Sequence, residues 1–268
     1  MMEKFIMPDG CALRVRDGGG EGPAVVLLHG YLETIEVWEE FIPLLKGVRV
    51  VAVDLPGHGV SEVKGPVHTM EFLARTAHAA LGVLGIEKAF VVGHSMGGYA
   101  ALEFLRLFPE ATLGLVLLHS TPNADTPEKI EQRERAIALV EAGKKELIAR
   151  MNSASGFAPE NRRKFAGWIE EMYEMATLEE DEGIVALLRG MIARPDYNDM
   201  LRASGVPRLF IFGHGDEHIP LPAAEALAAA HPRAQVVWLE HAGHMGFVEQ
   251  PQDTADAILN FIKENERP

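Results

Sequence analysis

Six short stretches of nearly unbroken apolar character punctuate the chain: Ala24–His29, Val48–Asp54, Ala89–Gly93, Leu113–His119, Arg208–Gly213 and Ala234–Leu239. Many of these residues are β-branched, and runs without polar alternation suit strands covered on both faces, as in a parallel sheet. Between them apolar residues recur at helical spacing over about Glu36–Leu45, Thr69–Leu84, Met96–Phe108, Pro222–Ala230 and Gln252–Lys263. The alternation predicts a doubly wound α/β fold, a mostly parallel twisted sheet with helices on both faces. One interval breaks the rhythm. From about Thr121 to Ala203 the chain is charged and helical in composition, with Pro122, Pro127, Pro159 and Pro195 marking helix starts or breaks. The pattern therefore predicts a core formed by residues 1–121 and 202–268, with a helical insertion at 122–201.

Composition narrows the function classes. With 268 residues, 47% hydrophobic and 24% charged, the chain is an ordinary globular protein able to bury a sizeable core. A formal net charge of -14 excludes the basic stripe that a nucleic-acid binder needs to displace counterions. Cys11 is the only cysteine, so no internal disulfide is expected; it is read as a buried structural thiol in an early strand. There is no basic-then-apolar N-terminal pattern and no run approaching the ~18 apolar residues of a membrane span, so no membrane partner and a cytoplasmic location are expected. Gly18-Gly19-Gly20 reads as a flexible turn rather than a phosphate loop, because no helix start follows it. Nothing in the pattern reports an oligomeric state.

The segment Gly93-His94-Ser95-Met96-Gly97-Gly98 is where chemistry enters. A Gly-x-Ser-x-Gly match alone is a weak signal, but here Phe90-Val91-Val92 precede it as a strand and Tyr99–Leu105 follow it as a helix. A serine on so sharp a turn has its hydroxyl lifted clear of the sheet, and the helix start aims its N–H groups at the same spot. A serine hydroxyl is a weak nucleophile unless a general base and an orienting carboxylate lie within reach. Two later turns follow predicted strands and carry such groups: Gly213-His214-Gly215-Asp216-Glu217-His218-Ile219-Pro220, and Glu240-His241-Ala242-Gly243-His244-Met245-Gly246-Phe247.

With these segments in order, nearly the whole chain resembles the α/β-hydrolase superfamily, in its serine-nucleophile, esterase-like branch with a helical cap. The resemblance implies a Ser95, Asp216, His244 triad. Glu217 is the competing acid and His241 the competing base; the family pattern and the shorter side chain favour Asp216, and Gly243 permits the tight loop that returns His244 toward Ser95. The segment Leu28-His29-Gly30-Tyr31 is similar to the family's oxyanion segment, which implies the backbone N–H groups of Tyr31 and Met96 as oxyanion donors. His29 is then structural. The Asp54-Leu55-Pro56-Gly57-His58-Gly59-Val60-Ser61 loop resembles a second family signature and supports the site without reacting.

The resemblance also implies that the insertion forms a lid. Its Met and aromatic content suggests a small to medium apolar acyl substrate, with His119, Phe157, Trp168 and Met191 as candidate pocket residues. The expected activity is cleavage of a carboxylic ester through an acyl-enzyme, with no cofactor and a rate that falls in acid as the base protonates. A carbon–carbon bond (diketone) hydrolase, lactonase, thioesterase or perhydrolase would use the same triad, and a non-hydrolytic ligand receptor would share the fold. Serine in the nucleophile slot argues against the epoxide hydrolases and haloalkane dehalogenases, which place Asp there. No His-Glu-x-x-His, cysteine cluster or Asp-rich loop supports a metal site.

Overall fold

The computed structural model describes residues 1–266 and contains a single eight-stranded sheet. In chain order the strands are β1 (Met2–Ile6), β2 (Leu13–Asp17), β3 (Ala24–Leu28), β4 (Arg49–Val53), β5 (Ala89–His94), β6 (Thr112–Leu118), β7 (Arg208–Gly213) and β8 (Gln235–Leu239). Their spatial order is β1-β2-β4-β3-β5-β6-β7-β8, antiparallel from β1 to β4 and parallel from there to the far edge. The six apolar runs are the six parallel strands.

Because successive side chains in a strand point to opposite faces, each run feeds two cores. Val26, Leu28, Val91, Leu115, Leu117 and Phe210 join one cluster, with helices α1 (Met70–Val83) and α2 (Met96–Leu107) over them. Val25, Leu27, Phe90, Val92, Val116 and Ile211 join the other, beneath Trp38, Phe41 and the C-terminal helix α10 (Pro251–Asn265). Between β6 and β7 lie five helices: α3 (Pro127–Glu141), α4 (Lys145–Ser155), α5 (Ala166–Leu178), α6 (Asp181–Ile192) and α7 (Asn198–Ala203). Helix α8 (Leu221–Ala230) connects β7 to β8, and the short α9 (Gly246–Glu249) leads into α10.

Two expectations change. The helix expected over Glu36–Leu45 is a pair of 3₁₀ turns, Ile35–Trp38 and Ile42–Leu44. Pro43 lacks the N–H that would continue an α-helix from Glu39, so the apolar period survives while the helix does not. Cys11 lies in the turn before β2, where its N–H donates to the Pro8 carbonyl; it is buried, and burial pushes its thiol up.

Register places the site. Leu28 stands beside both Val53 and Gly93, Gly93 beside Leu117, and Gly213 beside Leu239. The loops that follow β3, β4, β5, β6, β7 and β8 therefore leave the sheet at one edge. Every segment singled out for chemistry is on one of them, which is where open α/β sheets hold ligands.

Candidate active site

Ser95 occupies the single residue between β5 and α2, with φ 50 and ψ -115. A left-handed non-glycine backbone of this kind stores about 1–3 kcal/mol of strain, and the sheet and helix on either side hold it there. The turn leaves no room for side chains around it. A Cβ at Gly93 would overlap the backbone of Gly97 and Gly98, and one at Gly97 would overlap the carbonyls of Leu28 and His29. The second overlap has a chemical consequence, because it presses the start of α2 against the loop after β3. Met96 is the first residue of α2, so its N–H is one of the groups with no carbonyl partner inside the helix.

The loop after β3 is fixed from several sides. His29 donates from Nδ1 to the Gly30 carbonyl at 2.8 Å and accepts the Leu55 N–H at Nε2 at 3.0 Å. His58 in turn accepts the Leu32 N–H at 3.2 Å, so the loops after β3 and β4 exchange histidine contacts. Asp54 anchors them by accepting from the Ile35 N–H at 2.7 Å and from Arg14 at 2.6 Å. Leu32 and His119 also have positive φ, 62 and 48, so the strained non-glycine residues near this edge fall on the loops that flank Ser95.

Asp216 and His244 meet across β7 and β8. The Asp216 Oδ2 to His244 Nδ1 distance is 2.8 Å, and Oδ1 accepts the N–H groups of His218 and Ile219 at 2.8 and 3.0 Å. Burial opposes the Asp216 charge, but the His244 and His119 rings more than offset it and hold the carboxyl well below the usual carboxylate range. A carboxylate only accepts, so His244 Nδ1 carries the hydrogen and Nε2 keeps its lone pair. The His244 N–H donates to the Gly156 carbonyl at 2.8 Å, and Glu249 accepts from Gly243 and Ala158 at 2.7 and 3.0 Å. The inserted helices are thereby bonded directly to the loop that bears the imidazole.

A second imidazole–carboxylate pair lies next to the first. His94, immediately before Ser95, has Nδ1 3.0 Å from Glu33 Oε2 and donates from Nε2 to the His244 carbonyl at 2.9 Å. Glu33 also accepts the Gly30 N–H at 2.6 Å. Burial works against both charges, yet each favours the other: Glu33 draws the His94 imidazole up and His94 holds the Glu33 carboxyl down. Neither residue stands out in the sequence, although His94 is the variable position before the serine.

Three of the four candidate pocket residues are corrected. His119 and Phe157 are fully enclosed at 0% exposure and Met191 is at 1%, so no water-sized hollow touches the first two and almost none touches the third. Phe157 stacks on Phe165 at 5.6 Å between ring centres, and Met191 packs into the core. Trp168 is half-buried against the cluster below α5. His119 belongs to the acid: Nε2 accepts the Gly246 N–H at 3.2 Å, which leaves the hydrogen on Nδ1, 3.3 Å from Asp216 Oδ2 in a bent electrostatic contact. Burial lowers its protonation to about 4 despite that carboxylate. His218 stands with its ring centre 4.5 Å from that of His244 and stays exposed on its far face. His241 is exposed, and Glu217 pairs with Arg162 at the surface.

His119, Asp216 and His244 have ligand-type atoms within 4.8 Å of one another. Their hydrogen bonding leaves no set of lone pairs for a cation, since both Nδ1 atoms carry hydrogens toward Asp216. The same proximity is what an oriented base requires.

Comparison with known proteins gives the chain its family. Residues 25–257 match the model of the family described as "Alpha/beta hydrolase family". Pimeloyl-[acyl-carrier protein] methyl ester esterase of Aeromonas hydrophila is 29% identical over 256 residues, 91% of this chain and 96% of that protein. A thermophilic esterase from Thermogutta terrifontis superposes with a TM-score of 0.91 at 30% identity over 100% of both chains. The enol-lactonase from Burkholderia xenovorans LB400, at 21% identity and TM-score 0.89 over 97% of this chain and all of its own, shares the fold. Among the described residues no helix is long and apolar enough to cross a membrane. The chain belongs to the alpha/beta hydrolase family.

Proposed function

We propose that the protein hydrolyses carboxylic esters of small to medium acyl groups through an acyl-enzyme on Ser95. The observation that carries this reading is the juxtaposition, at one sheet edge, of a strained serine at a helix start with the Asp216–His244 pair. His244 Nε2 takes the Ser95 proton as Oγ attacks the carbonyl, and Asp216 fixes the tautomer that makes this possible. The N–H groups of Met96 and Tyr31 receive the developing oxyanion, a contribution of about 3–4 kcal/mol per donor. The imidazolium returns its proton to the leaving alkoxide, and water activated by the same nitrogen then cleaves the acyl-enzyme to acid and free Ser95. Every proton moves through His244, so the cycle needs no cofactor.

The relatives support the ester reading, since two of them are named as esterases. A fluorophosphonate probe tests it: the wild type should be labelled at Ser95 and Ser95→Ala should not be. Labelling elsewhere, or undiminished ester turnover by Ser95→Ala, would sink the assignment.

A further inference from the structure

The inserted helix α3 presents opposite chemistry on its two sides. Glu128, Glu131 and Glu134 face solvent, while Arg133 is buried and Lys129, four residues earlier and therefore on the same face, is half-buried. An inward face is normally apolar, so two cations there need a reason.

Their surroundings supply one carboxylate for three cations. Asp125 accepts from Arg133 Nε at 2.6 Å and Nη2 at 3.3 Å, and lies 2.9 Å from Arg194 Nη1. Arg194 is otherwise committed to the Met191 and Asn123 carbonyls and to the face of Tyr99, 3.8 Å from its ring centre. Tyr99 is four residues beyond Ser95, on the first turn of α2. Lys129, Arg133 and Arg194 against the single Asp125 leave two positive charges in excess, inside a chain whose net charge is -14.

The excess charge lies over the reacting edge. Burial first, with His244 and the Lys129 ammonium adding to it, disfavours protonation of the His218 ring, whose centre lies 4.5 Å from that of His244 at a tilt of 42°. Burial holds the Tyr31 hydroxyl well above the ordinary phenol range, and the nearby Arg133 charge opposes that rise. The Tyr31 hydroxyl is itself buried with no partner among the described residues. Face α3 thus bridges the acid loop and the loop after β3, the two loops that bracket Ser95. Two positive charges in excess, among two buried guanidinium groups and one half-buried ammonium, favour an anion here.

We propose that Lys129 and Arg133 form an anion subsite for a carboxylate carried by the substrate, with the Tyr31 hydroxyl as a further donor. Asp125 engages Nε and Nη2 of Arg133, which leaves Nη1 for the incoming oxygen. The proposal rests on the reading of Ser95 as the ester-cleaving nucleophile, and it replaces the expectation of a wholly apolar substrate. The carboxylate can end the acyl chain or sit on the alcohol.

Paired esters distinguish these sources. Monomethyl glutarate against methyl pentanoate tests the acyl side, and acetoxyacetate against propyl acetate tests the alcohol side. For at least one pair the wild type should favour the anionic member in kcat/KM by about tenfold or more, the size of one charge-assisted hydrogen bond. Lys129→Gln and Arg133→Gln should each reduce that ratio about tenfold. Arg189→Gln, in an exposed pair with Glu141, removes the same charge and should leave the ratio alone. Should Arg133→Gln fail to fold, Lys129→Gln decides. A ratio at or below one in both pairs, or an undiminished ratio in Lys129→Gln, overturns the subsite. Glutarate binding to Ser95→Ala by calorimetry separates this proposal from the first: binding that Lys129→Gln abolishes supports the subsite even where no ester is turned over and Ser95 takes no probe. Absence of both binding and anionic preference in a protein that hydrolyses neutral esters overturns the subsite alone.

Discussion

Two imidazole–carboxylate pairs meet beside Ser95 and are wired differently. In the pair formed by His244 and Asp216, one ring nitrogen is bonded to the carboxylate and the other is left to accept a proton. In the pair formed by His94 and Glu33, both ring nitrogens are engaged, Nδ1 with Glu33 and Nε2 with the His244 carbonyl. The rings are only 5.0 Å apart between centres, and both pairs are buried. Burial and a carboxylate are therefore not sufficient to make a base. What separates the two is the partner of the second nitrogen: none bonded in one case, a backbone carbonyl in the other. The second pair ties the Gly30 amide to the His244 backbone through Glu33 and His94, so it holds the oxyanion loop and the base loop in register around the nucleophile.

The largest effect should come from removing the first imidazole. His244→Ala deletes the proton acceptor, and kcat on p-nitrophenyl acetate should fall by about four orders of magnitude while the melting temperature falls only modestly, because Asp216 keeps the His218 and Ile219 N–H groups and His119. His94→Ala should do the reverse. It leaves Glu33 as an unpaired buried charge, a loss of about 3–5 kcal/mol, and the expected readout is a melt lowered by many degrees. A His94→Ala protein that melts like the wild type yet is as inactive as His244→Ala would break the distinction, because His94 would then be a chemical participant.

The carboxylates sharpen the same point at smaller size. Asp216→Asn keeps the shape but offers a donor where His244 needs an acceptor, favouring the wrong tautomer; a drop of about 10³–10⁴ in kcat/KM is expected. Glu33→Gln retains an oxygen for the Gly30 N–H and acts only through position, so about a tenfold drop is expected, with the change in kcat rather than KM. Equal losses in the two variants would show that both pairs act on the proton.

How much of this was legible in the sequence depended on whether the signal was local. The parallel strands were legible because strands covered on both faces need unbroken apolar runs, as in Ala89–His94. The elbow was legible because a strand, a Gly-x-Ser-x-Gly turn and a helix occur in immediate succession. The Asp216 and His244 loops were legible by their order and by their places after β7 and β8. Glu33 and His94 are 61 residues apart and carry no shared period, so their pairing comes only from the adjacency of β3 and β5. The same is true of α3. Its i, i+4 spacing puts Lys129 and Arg133 on one face, but only packing of α3 against α6 and α4 turns that face inward. His119 was misread for a related reason: its place at the end of β6 was right, but its left-handed backbone turns the ring to Asp216 instead of to a pocket.

A third buried carboxylate tests the comparison with the smallest effect. Glu179, between α5 and α6, is 3% exposed and accepts only the Gly59 N–H, its oxygens at 3.0 and 2.9 Å, with no imidazole or guanidinium bonded to it. Burial pushes it up to about 8, with the Asp54 charge adding to the rise and Lys145 and Arg14 opposing it. Glu33, equally buried, is held down because it has His94. The sign follows from linkage. Between the ordinary glutamate value near 4.5 and about 8, the folded protein keeps a proton that the unfolded chain has released, so stability should decline as pH rises through that window and level off above it. Glu179→Gln removes this decline, because the amide bonds to Gly59 at every pH. Melting curves from pH 5 to 9 should therefore show the variant gaining on the wild type by several degrees, steadily from pH 5 to about 8 and no further above that, with turnover of p-nitrophenyl acetate little altered. Parallel melting curves would mean that Glu179 is already ionised in the folded protein, and that a single amide suffices where the Glu33 pair uses an imidazole.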